Sequence, residues 1–462
     1  MRRTTSLVAL LLLAGCARLP AVPSDDCAAL FAARDAASAA TQDAQYRRLP
    51  GFPGLRSERV LAALGPAARS PEQRRLWLQR LAERDAEASA IELGNLPAAT
   101  RSAWSGEHQT RLANCRSAQV ERLAQDATAF AEVVAAARVD DDYRGWARSL
   151  GLYPLLKPLY RQLIAGWQSA AAKTQAPSDT ADWLAYRPLP GPDDFELRLQ
   201  EDALGLPQPD PAQRAALFAR HAPWLRIEQR SPADRLGSPV FLHDGRRGFA
   251  RQAPQLFQQL GWSRLDGRWQ LQLIYQFWFS RRPKPHALDI YGGELDGLLW
   301  RVTLDRQGQA LLYDAIHPCG CWHAFFLPAD SPLQFRQPLG QEARLARRLA
   351  IDGAGAATLW LSAGEHQLLW VDGRRPAYPA VGYRSAELGS LRQLPHPQGS
   401  RSLYAADGLV PGSERLERWL LWPSGVVSPG AMRQWGRHAT AFVGRAQFDD
   451  PGLLERYFIE RL

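Results

Sequence analysis

Two histidines and two cysteines alternate along Asp314-Ala-Ile-His317-Pro-Cys319-Gly-Cys321-Trp-His323. Imidazole and thiolate are zinc ligands, and thiolate also suits copper(I). The Cys-x-Cys spacing is tighter than the Cys-x2-Cys of common structural zinc sites. Two cysteines one residue apart can instead close a strained ring, and strained disulfides are the readily exchanged ones. A thiol paired with His317 or His323 would be a nucleophile with its base. Zinc or copper ligation by His317, Cys319, Cys321 and His323, a Cys319–Cys321 disulfide and a catalytic thiol are therefore open alternatives. A fourth is a loop whose histidines only satisfy backbone groups.

Geometry restricts all four. In an extended strand, residues two apart share a face but stand ~6.6 Å from one another, which puts His317 about 20 Å from His323. A joint site needs the stretch to bend, and Pro318 and Gly320 are turn formers. The β-forming runs Trp269–Phe279, Leu298–Leu304 and Ala310–Ile316 precede it, the last two flanking the hairpin loop Asp305-Arg-Gln-Gly308. If these runs form a meander, the loop Arg281–Gly297 lies at the same end of the sheet as His317. That would bring His286, Asp289, Glu294 and Asp296 near the cysteines, with His286 and Asp289 as further candidate metal ligands and a carboxylate able to orient a ligand histidine. The other histidines stand alone. No His-Glu-x-x-His, Gly-x-Ser-x-Gly, P-loop, Gly-x-Gly-x-x-Gly or Cys-x-x-Cys-His pattern occurs.

The elements that must position this stretch change character along the chain. Residues 26–222 are alanine- and arginine-rich with apolar residues at helical spacing. Leu76, Leu78 and Leu81 share one predicted face with Trp77 beside it. Breaks are expected at Gly51–Gly54 and Gly94–Pro97. Tyr153–Ile164 is apolar enough to pack against something, and 176–194 looks like a connection. Asp210-Pro-Ala-Gln213 is a helix-start pattern ended by Pro223. From residue 223 to 462 the texture is of strands, with a second hairpin around Gly364. The fold class expected is α+β: a helical N-terminal region followed by a mainly antiparallel β-rich domain. Cys27 and Cys115 bracket the first helical stretch and are the natural disulfide partners in an oxidising compartment.

Arg2 and Arg3 precede a short apolar run, Leu7–Leu13, that ends in Leu13-Ala14-Gly15-Cys16. This resembles a bacterial lipoprotein lipobox. The resemblance implies that residues 1–15 are a signal peptide, that Cys16 carries acyl chains such as palmitate, and that 16–25 is a tether. Ala17 follows Cys16 where an aspartate would favour the inner membrane, so the expected place is the periplasmic face of the outer membrane. The His317 stretch is also similar to segments of proteobacterial envelope lipoproteins, a resemblance that carries no catalytic residues across.

A net charge of +9 invites an anionic partner, but only Lys157, Lys173 and Lys284 among the 56 basic residues are lysine and no long basic block exists. Such arginine excess reads as base composition, and nucleic-acid binding is not expected. Two functional classes stand: a metal-binding or redox-active envelope protein centred on residues 317–323, and a non-catalytic lipoprotein that binds or scaffolds an envelope protein or glycan through its tryptophan-rich β surface.

Overall fold

A computed structural model describes residues 26–178, 183–192, 197 and 199–460. The expected signal peptide and the whole of the tether, Cys16 included, lie outside the described residues. Asp26 caps α1 (Cys27–Ala37), accepting from the Ala28 amide at 2.8 Å. A Ser70/Gln73 capping box opens α2 (Pro71–Gly94). Trp77 is the centre of the α2 face rather than its flank. It is fully buried with Leu78 and Leu81, its indole N–H donates to Leu61 O at 2.8 Å, and Leu76 is half-exposed. A tryptophan buried this deeply needs that acceptor. Against α2 packs α3 (Glu107–Gln125), and a Cys27–Cys115 disulfide with a Cα–Cα distance of 5.6 Å ties α1 to α3.

Between these helices lies a buried ionic network. Asp85 of α2 is held by Arg34 (2.6 Å), Arg116 (2.8 Å) and Arg56 (3.1 Å), and Arg56 grips Glu92 with both terminal nitrogens. Burial raises the Asp85 carboxyl, but the three guanidinium groups more than offset this and bring it down to about 2.

Two further helices follow, α4 (Gly145–Leu150) and α5 (Tyr153–Ala172). The expected packing of 153–164 is made by Tyr153, Leu156, Tyr160 and Ile164 around Val443 and Phe442, while Leu155, Leu159 and Leu163 of α5 face outward. A second departure is β1 (Trp183–Pro188), a strand inside the stretch read as helical and linking. Its β-forming residues between turn-rich flanks are too few to show a period, and the sheet recruits them. Next, α6 (Pro211–His221) starts at the Asp210/Gln213 capping box and ends before Pro223, as expected.

The remaining strands of the main sheet are β2 (Trp224–Glu228), β3 (Leu236–Phe241), β4 (Arg247–Ala250), β5 (Gln255–Leu265), β6 (Arg268–Arg282), β7 (Gly293–Leu304), β8 (Ala310–Ile316), β9 (Ala324–Leu327), β10 (Leu345–Arg348), β11 (Thr358–Leu361), β12 (Leu368–Asp372) and β13 (Val381–Glu387). Among the described residues they form one mixed sheet in the order β10-β9-β8-β7-β6-β5-β13-β1-β2-β11-β12, with β3 and β4 branching from β6. The expected α+β architecture is present. The antiparallel meander β5–β8 is its centre, with Trp300 opposite Tyr275 on one side and Ala315 on the other. One sheet face packs Tyr275, Phe277, Phe279 and Trp300; the other packs Ile274, Trp278 and Leu299 under the C-terminal segment carrying Met432, Trp435 and Phe448. Covering on both faces explains why β6 reads as a nearly continuous apolar run. The Asp305–Gly308 hairpin forms, the Asp305 carboxylate accepting from the Gln307 and Gln309 amides at 2.8 Å.

Replacing Asp85 by asparagine leaves three buried guanidinium groups undercompensated and is expected to cost ~3–5 kcal/mol in urea unfolding. The native contribution is present above the unfolded carboxyl value of about 3.9 and is lost as pH falls through about 2. The acid-unfolding midpoint of Asp85→Asn should accordingly depend less on this low-pH window.

Candidate functional site

The meander returns β8 to the end of the sheet from which β7 starts, so His317 arrives beside Asp296. Asp296 is fully buried. Its Oδ1 lies 3.3 Å from His317 Nδ1 and 3.3 Å from Arg415 Nη2, and its Oδ2 lies 2.9 Å from His366 Nδ1. The chain of charges continues through His366, whose Nε2 is 3.3 Å from Asp234 Oδ1 and whose ring stacks on Phe279 at 3.8 Å. Asp234 also accepts from the amides of Arg230, Ser231 and Gly364.

Burial would raise Asp296, yet Arg415 and the two imidazoles hold it well below the usual carboxylate range. Burial would lower His366, but the aspartates on either side of it favour the charged ring and its pKa is raised. For His317 burial wins over Asp296 and the ring is pushed down. Toward the Asp296 carboxylate His317 Nδ1 can only donate, and His366 stands between two carboxylates that favour its charged form.

His323 belongs to a different pair. Its Nε2 lies 2.8 Å from Asp314 Oδ2, and Asp314 is also gripped by Arg301 at 2.8 and 2.6 Å across the β7–β8 ladder. Burial pushes His323 down to about 4. The two imidazoles of the expected four-ligand set thus each contact a different aspartate. Among the described residues no three His, Cys, Asp or Glu side chains converge as a metal ion requires. The additional candidates fare no better. His286 is exposed, and Asp289 caps its own turn, accepting from the Tyr291 amide at 2.9 Å. The other ring nitrogens, His317 Nε2 and His323 Nδ1, are buried without a hydrogen-bond partner.

The cysteines themselves sit on the bend that the sequence requires. Gly320 N–H donates to His317 O at 2.8 Å, and His317 N–H donates to Cys321 O at 3.0 Å. Gly320 has φ +87°, and a Cβ there would stand 2.2 Å from Ala439 O. No other residue fits this corner. Arg433 fastens the bend from outside, its Nε donating to Cys319 O at 2.9 Å. The two thiols are free, Cys319 buried and Cys321 half-buried, and each shifts the other's titration. Burial raises the Cys319 thiol, but the Cys321 S–H and Arg415 outweigh it and draw Cys319 below the usual thiol value. The Cys319 hydrogen bond, then burial, push Cys321 well above that value.

Both sulfurs border a cavity of ≈ 280 Å³. Its polar wall carries Arg282, Arg415 and Glu417; its apolar wall carries Ile164 and Trp167 of α5 with Trp322 and Phe442. Trp322, at φ +63°, meets Trp167 edge-on at 4.3 Å. Burial lifts the Glu417 carboxyl to about 7 against the pull of Arg415 and Arg282. Larger clefts elsewhere, of ≈ 530 Å³ beside His396 and Tyr404 and ≈ 340 Å³ between Glu58 and Trp262, carry no thiol.

The charged His366 makes a pH-dependent contribution. Its stabilisation is complete below the unfolded imidazole value of about 6.5 and is lost as pH rises through the higher folded value. In wild type, unfolding free energy should fall across this window with a slope of at most about 1.4 kcal/mol per pH unit from this group. His366→Gln should flatten that part of the profile in denaturant titrations at successive pH values.

No protein-family model, curated protein or solved structure matches this chain, and the geometry around Cys319 and Cys321 carries the functional reading alone.

Proposed function

We propose that the chain is a lipid-anchored envelope protein of the periplasm, held to the outer membrane through Cys16, whose Cys319–Cys321 pair performs thiol–disulfide exchange. One observation carries the reading: two free cysteines one residue apart line a cavity beside a guanidinium that favours thiolate and a carboxyl balanced near neutrality. A thiolate, not a thiol, attacks a disulfide, and a buried carboxyl near 7 can take and return the remaining proton. The Cys27–Cys115 disulfide fits the same oxidising compartment.

The exchange balances as follows. Cys319 thiolate attacks one sulfur of a partner disulfide, forming a mixed disulfide and releasing the other partner sulfur as thiolate. Glu417 takes the Cys321 proton, and Cys321 attacks Cys319, closing the Cys319–Cys321 disulfide and releasing the second partner sulfur. Two electrons pass from the pair to the partner; run backwards, the pair oxidises a partner dithiol.

Cys321→Ser removes the resolving thiol and should trap a mixed disulfide with a disulfide-containing peptide, seen as an adduct by mass spectrometry and absent in Cys319→Ser. Glu417→Gln should slow resolution by about 10²-fold and remove a rate increase centred near pH 7. Absence of an adduct in both single-cysteine variants would overturn the proposal.

A further inference from the structure

The helices beside the cavity expose more apolar surface than a folded chain leaves uncovered without reason. On α5, Leu152 at the cap and Leu155, Leu159 and Leu163 follow one another at spacings of three and four, so they form one stripe. Leu155 is 74% exposed and Leu159 51%. The stripe continues onto Trp146 and Leu150 of α4. It also continues onto Trp419 (66% exposed) and Leu420 of α7 (Arg418–Leu421). All three helices pack against the turn at Trp422–Ser424, which makes the surface contiguous. Among the described residues no helix is long and apolar enough to cross a membrane.

Charge identifies what covers this face. From Arg144 to Lys173 the sequence contains no aspartate or glutamate, while Arg144, Arg148, Lys157, Arg161 and Lys173 are all cationic. Two of the chain's three lysines fall in this stretch. Exposed Arg144 and Lys173 stand near the two ends of the apolar stripe, Lys157 and Arg161 lie on the opposite side of α5, and Arg418 lies over the Trp419 ring at 4.8 Å. An exposed aliphatic stripe with tryptophans at its margin, on an acid-free helix with basic residues at its ends and on its opposite side, is the composition of a helix lying in the headgroup layer of an anionic bilayer. The long basic side chains can reach the phosphates while their stems stay on the apolar side. A second copy of the same face would set like charges against one another.

We infer that the face formed by α4, α5 and α7 seats on an anionic phospholipid surface. The inference rests on neither the acyl anchor nor the thiol chemistry. Because Ile164 and Trp167 of α5 also wall the cysteine cavity, seating places that cavity at the membrane surface.

The test uses the full chain carrying Cys16→Ser, so that no acyl chain contributes, floated with phosphatidylcholine vesicles with and without phosphatidylglycerol. The protein should rise with the anionic vesicles, and binding should weaken about tenfold or more on neutral vesicles and at high salt. The triple variant Leu155→Glu/Leu159→Glu/Trp419→Glu alters only exposed side chains. It should keep its circular dichroism and lose flotation by about tenfold or more, whereas Cys319→Ser should float like its parent. All chains share one N-terminus, so the difference isolates the face. Equal flotation of parent and triple variant, or none with either, would overturn the inference. So would a concentration-dependent dimer, measured by light scattering, that the triple variant abolishes.

Discussion

A carboxylate taken out of water must be met by charge and hydrogen bonds, and Asp296 is the residue on which this requirement bears most heavily. It is fully buried near the start of β7, and its two oxygens are met by groups from three distant places. These are His317 after β8, His366 in the β11–β12 hairpin and Arg415 in the C-terminal segment. Compensating one ion thus draws three segments together at one end of the sheet. Arg415 also bears on the cysteines, so the charge that stabilises the core is the charge that sets the thiols. Structure and chemistry share a single guanidinium.

The same device recurs through the molecule. Arg392 binds Asp43 at 3.0 and 2.8 Å, and Arg59 binds Asp449 at 3.2 Å, each joining the helical region to the C-terminal half. Arg34, Arg56, Arg226, Arg301, Arg392 and Arg433 are almost wholly buried. Part of an arginine-rich composition that reads as base composition in the sequence lies in the interior, where the planar fork can bind carboxylates with two bonds at once. Net positive charge is then a poor guide to partners. The local absence of acids between residues 144 and 173 is the informative feature.

Much that depends on neighbours in sequence was legible beforehand. The Asp210/Gln213 capping box, the Asp305–Gly308 hairpin and the break after α2 follow from residue types at short spacing. The meander, and with it the arrival of Asp296 beside His317, follows from three β-forming runs with a tight loop. The Cys27–Cys115 pairing follows from position and cysteine count. What escaped depends on distance. His366 and Asp234 look isolated in the sequence, and Ser413-Glu-Arg-Leu-Glu-Arg418 reads as an ordinary charged turn. Nothing local says that Arg415 and Glu417 will face cysteines nearly a hundred positions earlier. The surroundings of the regular His-x-Cys-x-Cys-x-His spacing were hidden for a related reason. The bend at Gly320 breaks the strand's alternation, and two aspartates on different strands claim the two imidazoles separately.

The account turns on whether Cys319 and Cys321 interconvert as a pair. The direct measurement poises the full chain in dithiothreitol or glutathione buffers of graded potential, traps free thiols by alkylation and counts them by mass. The account predicts one two-electron transition confined to Cys319 and Cys321, absent in Cys319→Ser, with Cys27–Cys115 intact throughout the same range. If both thiols stay reduced under the most oxidising buffer, or the count changes one thiol at a time, the pair is not the exchange centre described here.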